Sequence, residues 1–117
     1  MEKFAVKYIF DHYSRFMTLR EVAAWKHYNT SFKFEDALKD DPTQRKEKMF
    51  LKRGWLSNDP EILKLLENGI ENFQQRIAER IVREHEPEIF FNNCKTCGRL
   101  ARTPFAKQCR YCGLDWH

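Results

Sequence analysis

The chain is short of the residues that most enzyme sites are built from. Its 117 residues hold four glycines, four prolines, four cysteines and four histidines. Two glycines follow cysteine pairs, one sits at an expected helix end (Gly54) and one inside a helical pattern (Gly69), so none is left for a glycine-rich phosphate loop. His12, His27, His85 and His117 have no glutamate three residues before them. That removes the Glu-x-x-His pattern of di-iron bundles and the His-Glu-x-x-His pattern of metalloproteases. No apolar run is long enough to cross a membrane. The opening MEKFAVKYIF carries Glu2, Lys3 and Lys7 and lacks an apolar stretch of signal-peptide length, which predicts a cytoplasmic protein. Acidic residues such as Glu67, Glu71 and Glu79 read as a solvated helix face. The chain is therefore expected not to be an enzyme.

All four cysteines are gathered in the last 24 residues, as Cys94-Lys-Thr-Cys97-Gly98 and Cys109-Arg-Tyr-Cys112-Gly113. Two residues between cysteines let one tight turn aim both sulfurs at a single point, and the following glycine lets the chain fold back beneath them. Eleven residues separate the pairs, room for a short hairpin that brings the two turns face to face. The pattern predicts one structural Zn²⁺ held by Cys94, Cys97, Cys109 and Cys112, with no open coordination position and no cysteine left as a nucleophile. Disulfides would require an oxidising compartment, which nothing in the sequence indicates.

Composition is that of one compact domain, 42% hydrophobic and 32% charged, with ten phenylalanines and three tryptophans. Charge is unevenly placed. Residues 1 to 93 carry sixteen basic and sixteen acidic side chains, whereas from Cys94 onward Lys95, Arg99, Arg102, Lys107 and Arg110 face only Asp115. Two readings stay open for this excess. The cations offset the formal −2 of four thiolates around Zn²⁺, or Arg99, Arg102, Lys107 and Arg110 form an anion-binding surface, nucleic acid being the first candidate partner.

The pattern along the chain predicts a mainly α protein: about four helices over residues 1–87, then a zinc-ribbon-like hairpin over 88–117. Phe4, Tyr8, Ile9, His12, Tyr13 and Phe16 step by three and four from Lys3. Thr18 with Glu21 forms a capping-box pattern opening a second helix near Leu19. Asp41-Pro42 and Asp59-Pro60 each read as an acidic N-cap followed by proline at the first helical position. The first of these should open a helix ending at Gly54. The second should open the longest helix, with Ile62, Leu66, Ile70, Phe73, Ile77 and Ile81 on one stripe, bent at Gly69 and ended near His85 by Pro87. Lys33 to Asp41 is expected to be a mobile connection. At the C-terminus, Trp116 and His117 have two readings, an aromatic plug over the metal or a stacking ring and a fifth candidate ligand.

The tail NCKTCGRLARTPFAKQCRYCGLDWH resembles the ending of a family of uncharacterised bacterial proteins. Their last residues follow Cys-x-x-Cys-Gly-x-Leu-Ala-Arg-Thr-Pro, then Gln-Cys-Arg-x-Cys and Asp-Trp-His. WLSNDPEIL and IAERIVREH are similar to the same family more loosely. Lys95 stands where such turns often carry proline. The resemblance implies a zinc ribbon joined to a helical body and implies no activity. Rubredoxins share the paired turns but space them much farther apart, so iron electron transfer fits poorly. Beside nucleic-acid binding, the composition leaves a second function class, a protein-interaction or homo-oligomeric module in which zinc only pins the C-terminus.

Overall fold

The computed structural model describes residues 1–116 and divides into two compact units, one of Met17–Phe73 and one of Met1–Phe16 with the chain from Gln74 onward. The expected helical class is found. Helices are α1 (Lys3–His12), α2 (Leu19–Lys33), α3 (Glu35–Lys39), α4 (Arg45–Lys52), α5 (Pro60–Lys64) and α6 (Ile70–His85). The β structure among the described residues consists of two isolated bridges in the tail.

In the Met17–Phe73 unit, local capping chemistry sets most helix ends. Both halves of the capping box at α2 form: the Glu21 amide donates to Thr18 Oγ1 at 3.1 Å and the Thr18 amide to Glu21 Oε1 at 2.8 Å. Trp25 on α2 stacks on Phe73, centroids 6.2 Å apart, and on Tyr28 at 6.0 Å. Half-buried His27 accepts the Ser57 amide at Nδ1, 3.0 Å away, and burial holds its imidazole below the ordinary histidine range.

Gly54 ends α4 as expected, at φ 77°. The Trp55 amide bonds the Phe50 carbonyl at 2.9 Å and the Gly54 amide bonds Leu51 at 3.2 Å, the two hydrogen bonds of a Schellman end. The apolar contact that accompanies such an end is the Phe50–Trp55 ring pair, 5.5 Å between centroids.

Three expectations for this unit are corrected. Asp41-Pro42 does not open α4 directly. The chain makes a turn in which the Gln44 amide bonds the Asp41 carbonyl, Gln44 takes a left-handed φ of 56°, and α4 starts at Arg45. Asp41 still caps it from a distance, its Oδ2 accepting the Lys46 amide at 2.9 Å. Within Lys33–Asp41, expected to be mobile, the short helix α3 forms, since Leu38 and Asp40 find carbonyl partners at Phe34 and Asp36.

The single long helix after Pro60 is two helices. Asp59 Oδ1 caps the Glu61 amide at 2.9 Å with Pro60 at the first helical position, but α5 ends at Lys64. Tight turns with three-residue hydrogen bonds continue to Gly69, whose φ of 91° lies outside the right-handed helical region. Gly69 breaks the rod where a bend was expected, and its carbonyl accepts the Phe73 amide at 3.1 Å in the first turn of α6.

In the other unit, α1 ends at His12, and Ser14–Phe16 form a separate 3-10 turn. Val6, Tyr8 and Ile9 of α1, Tyr13, and Ile77, Ala78 and Ile81 of α6 make its buried core. Arg80 on α6 donates to the Phe16 carbonyl at 3.2 Å, and His85 stacks on Phe16 with centroids 3.9 Å apart. As expected, α6 ends at His85, where Pro87 enters a 3-10 turn over Glu86–Glu88.

Candidate metal centre

The tail is a backbone repeat with a fifteen-residue offset. The Cys94 amide bonds the Arg99 carbonyl at 2.8 Å, and the Cys109 amide bonds Leu114 at 2.7 Å. The Gly98 amide returns to the Cys94 carbonyl at 2.9 Å and that of Gly113 to Cys109 at 3.0 Å, with glycine φ angles of 73° and 79°. Bridges pair Asn93 with Leu100 and Gln108 with Asp115. The amides of Ala101 and Trp116 close the outer ends onto the Asn92 and Lys107 carbonyls, both at 2.8 Å. Each cysteine pair is thus held by its own small hairpin, where the sequence suggested one hairpin between them.

These turns bring the four sulfurs together, all within 4.8 Å of one another. Cys94 and Cys112 are 3.5 Å apart, as are Cys97 and Cys109, and all four are free thiols. Tetrahedral coordination with bonds of about 2.3 Å places sulfurs about 3.8 Å apart, so the cluster has the dimensions to hold one metal ion. The first cysteine of each pair is buried and the second exposed.

Backbone amides polarise the set. The Cys112 amide, followed by that of Tyr111, donates to Cys109 Sγ at 3.5 and 3.4 Å and overcomes burial to lower that thiol to about 6. Cys94 is lowered in the same way, chiefly by the Cys97 amide and also by that of Thr96. Cys112 receives an amide from Leu114, yet Cys94 beside it, burial and the other sulfurs push it up to about 11. Cys97 is likewise raised, its Arg99 amide outweighed by burial and the sulfurs of Cys109 and Cys94. Four like groups in one place cannot all ionise without a cation.

The ribbon is anchored on α1 through contacts that the sequence reading missed. Tyr8 and Tyr13 both donate to the Phe90 carbonyl, and the Phe90 amide donates to Tyr13 Oη at 2.9 Å. Burial, only partly offset by the Asn92 amide, raises the Tyr8 phenol. His12 Nε2 lies 3.1 Å from the Arg102 carbonyl. Asn92, 4% exposed, sends its side-chain amide to the carbonyls of Thr103 at 3.0 Å and Ala106 at 2.8 Å, tying down the connector between the repeats. Ala106 also accepts the Trp116 indole at 3.0 Å. His117 lies outside the described residues.

The four cations singled out by sequence do not share one face. Arg99 and Arg110 both lie over the Tyr111 ring, at 4.6 and 4.9 Å, and Arg110 also covers Phe4 at 4.3 Å. Arg102 and Arg110 line a cavity of about 290 Å³ with Lys7, His12 and Asp11, the last bonded to Lys7. Lys107 is elsewhere, in a cleft with Lys95. No helix is long and apolar enough to cross a membrane among the described residues. No protein-family model, curated protein or solved structure matches the chain.

Proposed function

We propose that this chain is a non-enzymatic binding module in which one structural Zn²⁺, held by Cys94, Cys97, Cys109 and Cys112, fixes a cationic ribbon for nucleic acid. The observation that carries the metal assignment is the approach of four free thiols to within 4.8 Å through two equivalent turns. Zn²⁺ supplies the positive charge that lets all four ionise together, and a set closed by four thiolates has no position for substrate or water. Free thiolates persist in a reducing compartment, so the reading goes with the cytoplasm.

Support for nucleic acid is the ladder Phe4, Arg110, Tyr111, Arg99, with Arg102 and Lys7 across the adjoining cavity. Guanidinium groups resting on rings are preorganised for phosphate oxygens. In fluorescence anisotropy with the zinc-loaded chain and labelled oligonucleotides, log affinity falls against log salt with a slope of about −0.7 to −0.9 per phosphate contact. Arg99→Ala, Arg102→Ala and Arg110→Ala each lower that slope. Absence of saturable binding at low salt overturns the proposal.

A protein-interaction or homo-oligomeric reading, with zinc purely structural, draws on Leu19 and Phe32 of α2, 90% and 71% exposed. Sedimentation equilibrium discriminates: a concentration-dependent mass that Phe32→Ser abolishes favours this second reading.

A further inference from the structure

The cleft that takes Lys107 away from the arginines has a chemistry of its own. Phe90, Pro104, Phe105 and Trp116 line it, Lys95 and Lys107 lie along it, and no acidic side chain contributes. Its volume, about 520 Å³, is that of a small-ligand site. Phe105 is 86% exposed and Phe90 56%, so two rings on one cleft are left in water.

Phe105 is also rigidly presented. Its amide bonds Thr103 Oγ1 at 3.2 Å, and the Asn92 side chain clamps the carbonyls on either side of it, those of Thr103 and Ala106. The Trp116 ring is fixed by its bond to the same Ala106 carbonyl. A connector tethered this tightly gains nothing in folding from a phenylalanine at its tip. Rings held open beside exposed cations are the arrangement that takes unpaired bases, which stack on aromatic faces while phosphates follow the positive charge. Duplex bases are already stacked and offer these rings no face.

We infer that this cleft is a stacking platform for single-stranded nucleic acid, with Phe105 and Phe90 receiving bases and Lys95 and Lys107 the flanking phosphates. The inference rests on the nucleic-acid reading above and narrows it to single strands. The occupant is chosen by charge complementarity: two lysines and no carboxylate call for an anion, and the rings call for aromatic groups along it.

The test is anisotropy of the zinc-loaded full chain with a labelled dodecathymidine strand, with a duplex of the same length, and with a peptide of alternating Glu and Phe. Phe105→Ala and Phe90→Ala are each expected to weaken single-strand binding roughly 5- to 150-fold and to leave duplex binding unchanged. Phe105→Trp, which keeps a stacking face, retains the affinity. Lys95→Ala and Lys107→Ala each reduce the single-strand salt slope by about 0.7. Zinc content and near-ultraviolet circular dichroism of each variant confirm an intact ribbon.

If Phe105→Ala and Phe90→Ala bind the single strand as tightly as the parent, the platform is refuted while the nucleic-acid reading stands. If no oligonucleotide binds, both fall. If the peptide binds in a Phe105-dependent way and the single strand does not, the cleft is a protein-docking site and the inference is overturned.

Discussion

Replacing Asn92 by alanine should loosen the metal ribbon although it touches no cysteine. Asn92 is the one buried polar side chain among the described residues, and no buried side-chain nitrogen or oxygen there lacks a partner. The substitution removes two hydrogen bonds, to Thr103 at 3.0 Å and Ala106 at 2.8 Å. Each is worth about 0.5–1.5 kcal/mol net, so the loss is about 1–3 kcal/mol. Both acceptors keep a second donor, Ala106 the Trp116 indole at 3.0 Å and Thr103 the Ala106 amide at 3.3 Å, which favours the lower half of that range.

The repeat supplies an internal control. Lys107 occupies the position equivalent to Asn92, with the same backbone bond at 2.8 Å but an exposed side chain, so Lys107→Ala should change stability by less than about 0.5 kcal/mol. The assay is transfer of zinc from the loaded protein to a chromogenic chelator in excess. If release follows opening of the ribbon, Asn92→Ala accelerates it about 5- to 30-fold. Equal release rates for Asn92→Ala and Lys107→Ala would refute the assignment of the connector's stability to the buried amide.

Other perturbations probe separate parts of the account. Gly69→Ala should destabilise the chain by about 1–2 kcal/mol in urea unfolding, because φ 91° is strained for any residue with a Cβ; a continuous helix would instead be stabilised and gain helicity. Tyr13→Phe deletes the group that both donates to and accepts from Phe90 and should cost about 1–3 kcal/mol, read as a lower urea midpoint. His27 has its folded-state pKa lowered by burial, so the unfolded chain binds the proton first. Its contribution is therefore present above the unfolded value of about 6.5 and is lost as pH falls below it. The difference in urea midpoint between parent and His27→Ala should shrink from pH 7.5 to pH 5.5.

What was legible in the sequence is what depends on side-chain chemistry at fixed local spacing. Thr18 with Glu21, Asp59 with Pro60, Gly54 and the two cysteine pairs each name a local geometry, and each is found. Asp41-Pro42 shows the limit: the carboxylate does cap α4, but through a turn at Gln44 that no side-chain pattern announces. Gly69 shows another, since apolar positions keep their spacing across a break that lies in one backbone dihedral. Asn92, Tyr8 and Tyr13 were invisible because their partners are carbonyls and amides more than ten residues away. For the same reason the repeat beyond the cysteines could not be read, as Asn92 and Lys107, or Ala101 and Trp116, share backbone bonds and no side-chain likeness.

The paired tyrosines also bear on how far a ligand mutation spreads. Because α1 holds the ribbon through Phe90 and Arg102, Cys109→Ser should remove the metal and lower the unfolding midpoint of α1 and α6 together with the tail. Loss confined to the tail in hydrogen exchange would mean that these anchors are weaker than their geometry indicates.

The most direct test of the central claim is metal content by elemental analysis of the purified chain, with thiol titration before and after chelation. The account predicts one zinc per chain, four thiols protected until the metal is removed, and no zinc retained by Cys109→Ser. Four freely reactive thiols with no metal, or zinc retained by the variant, would contradict it.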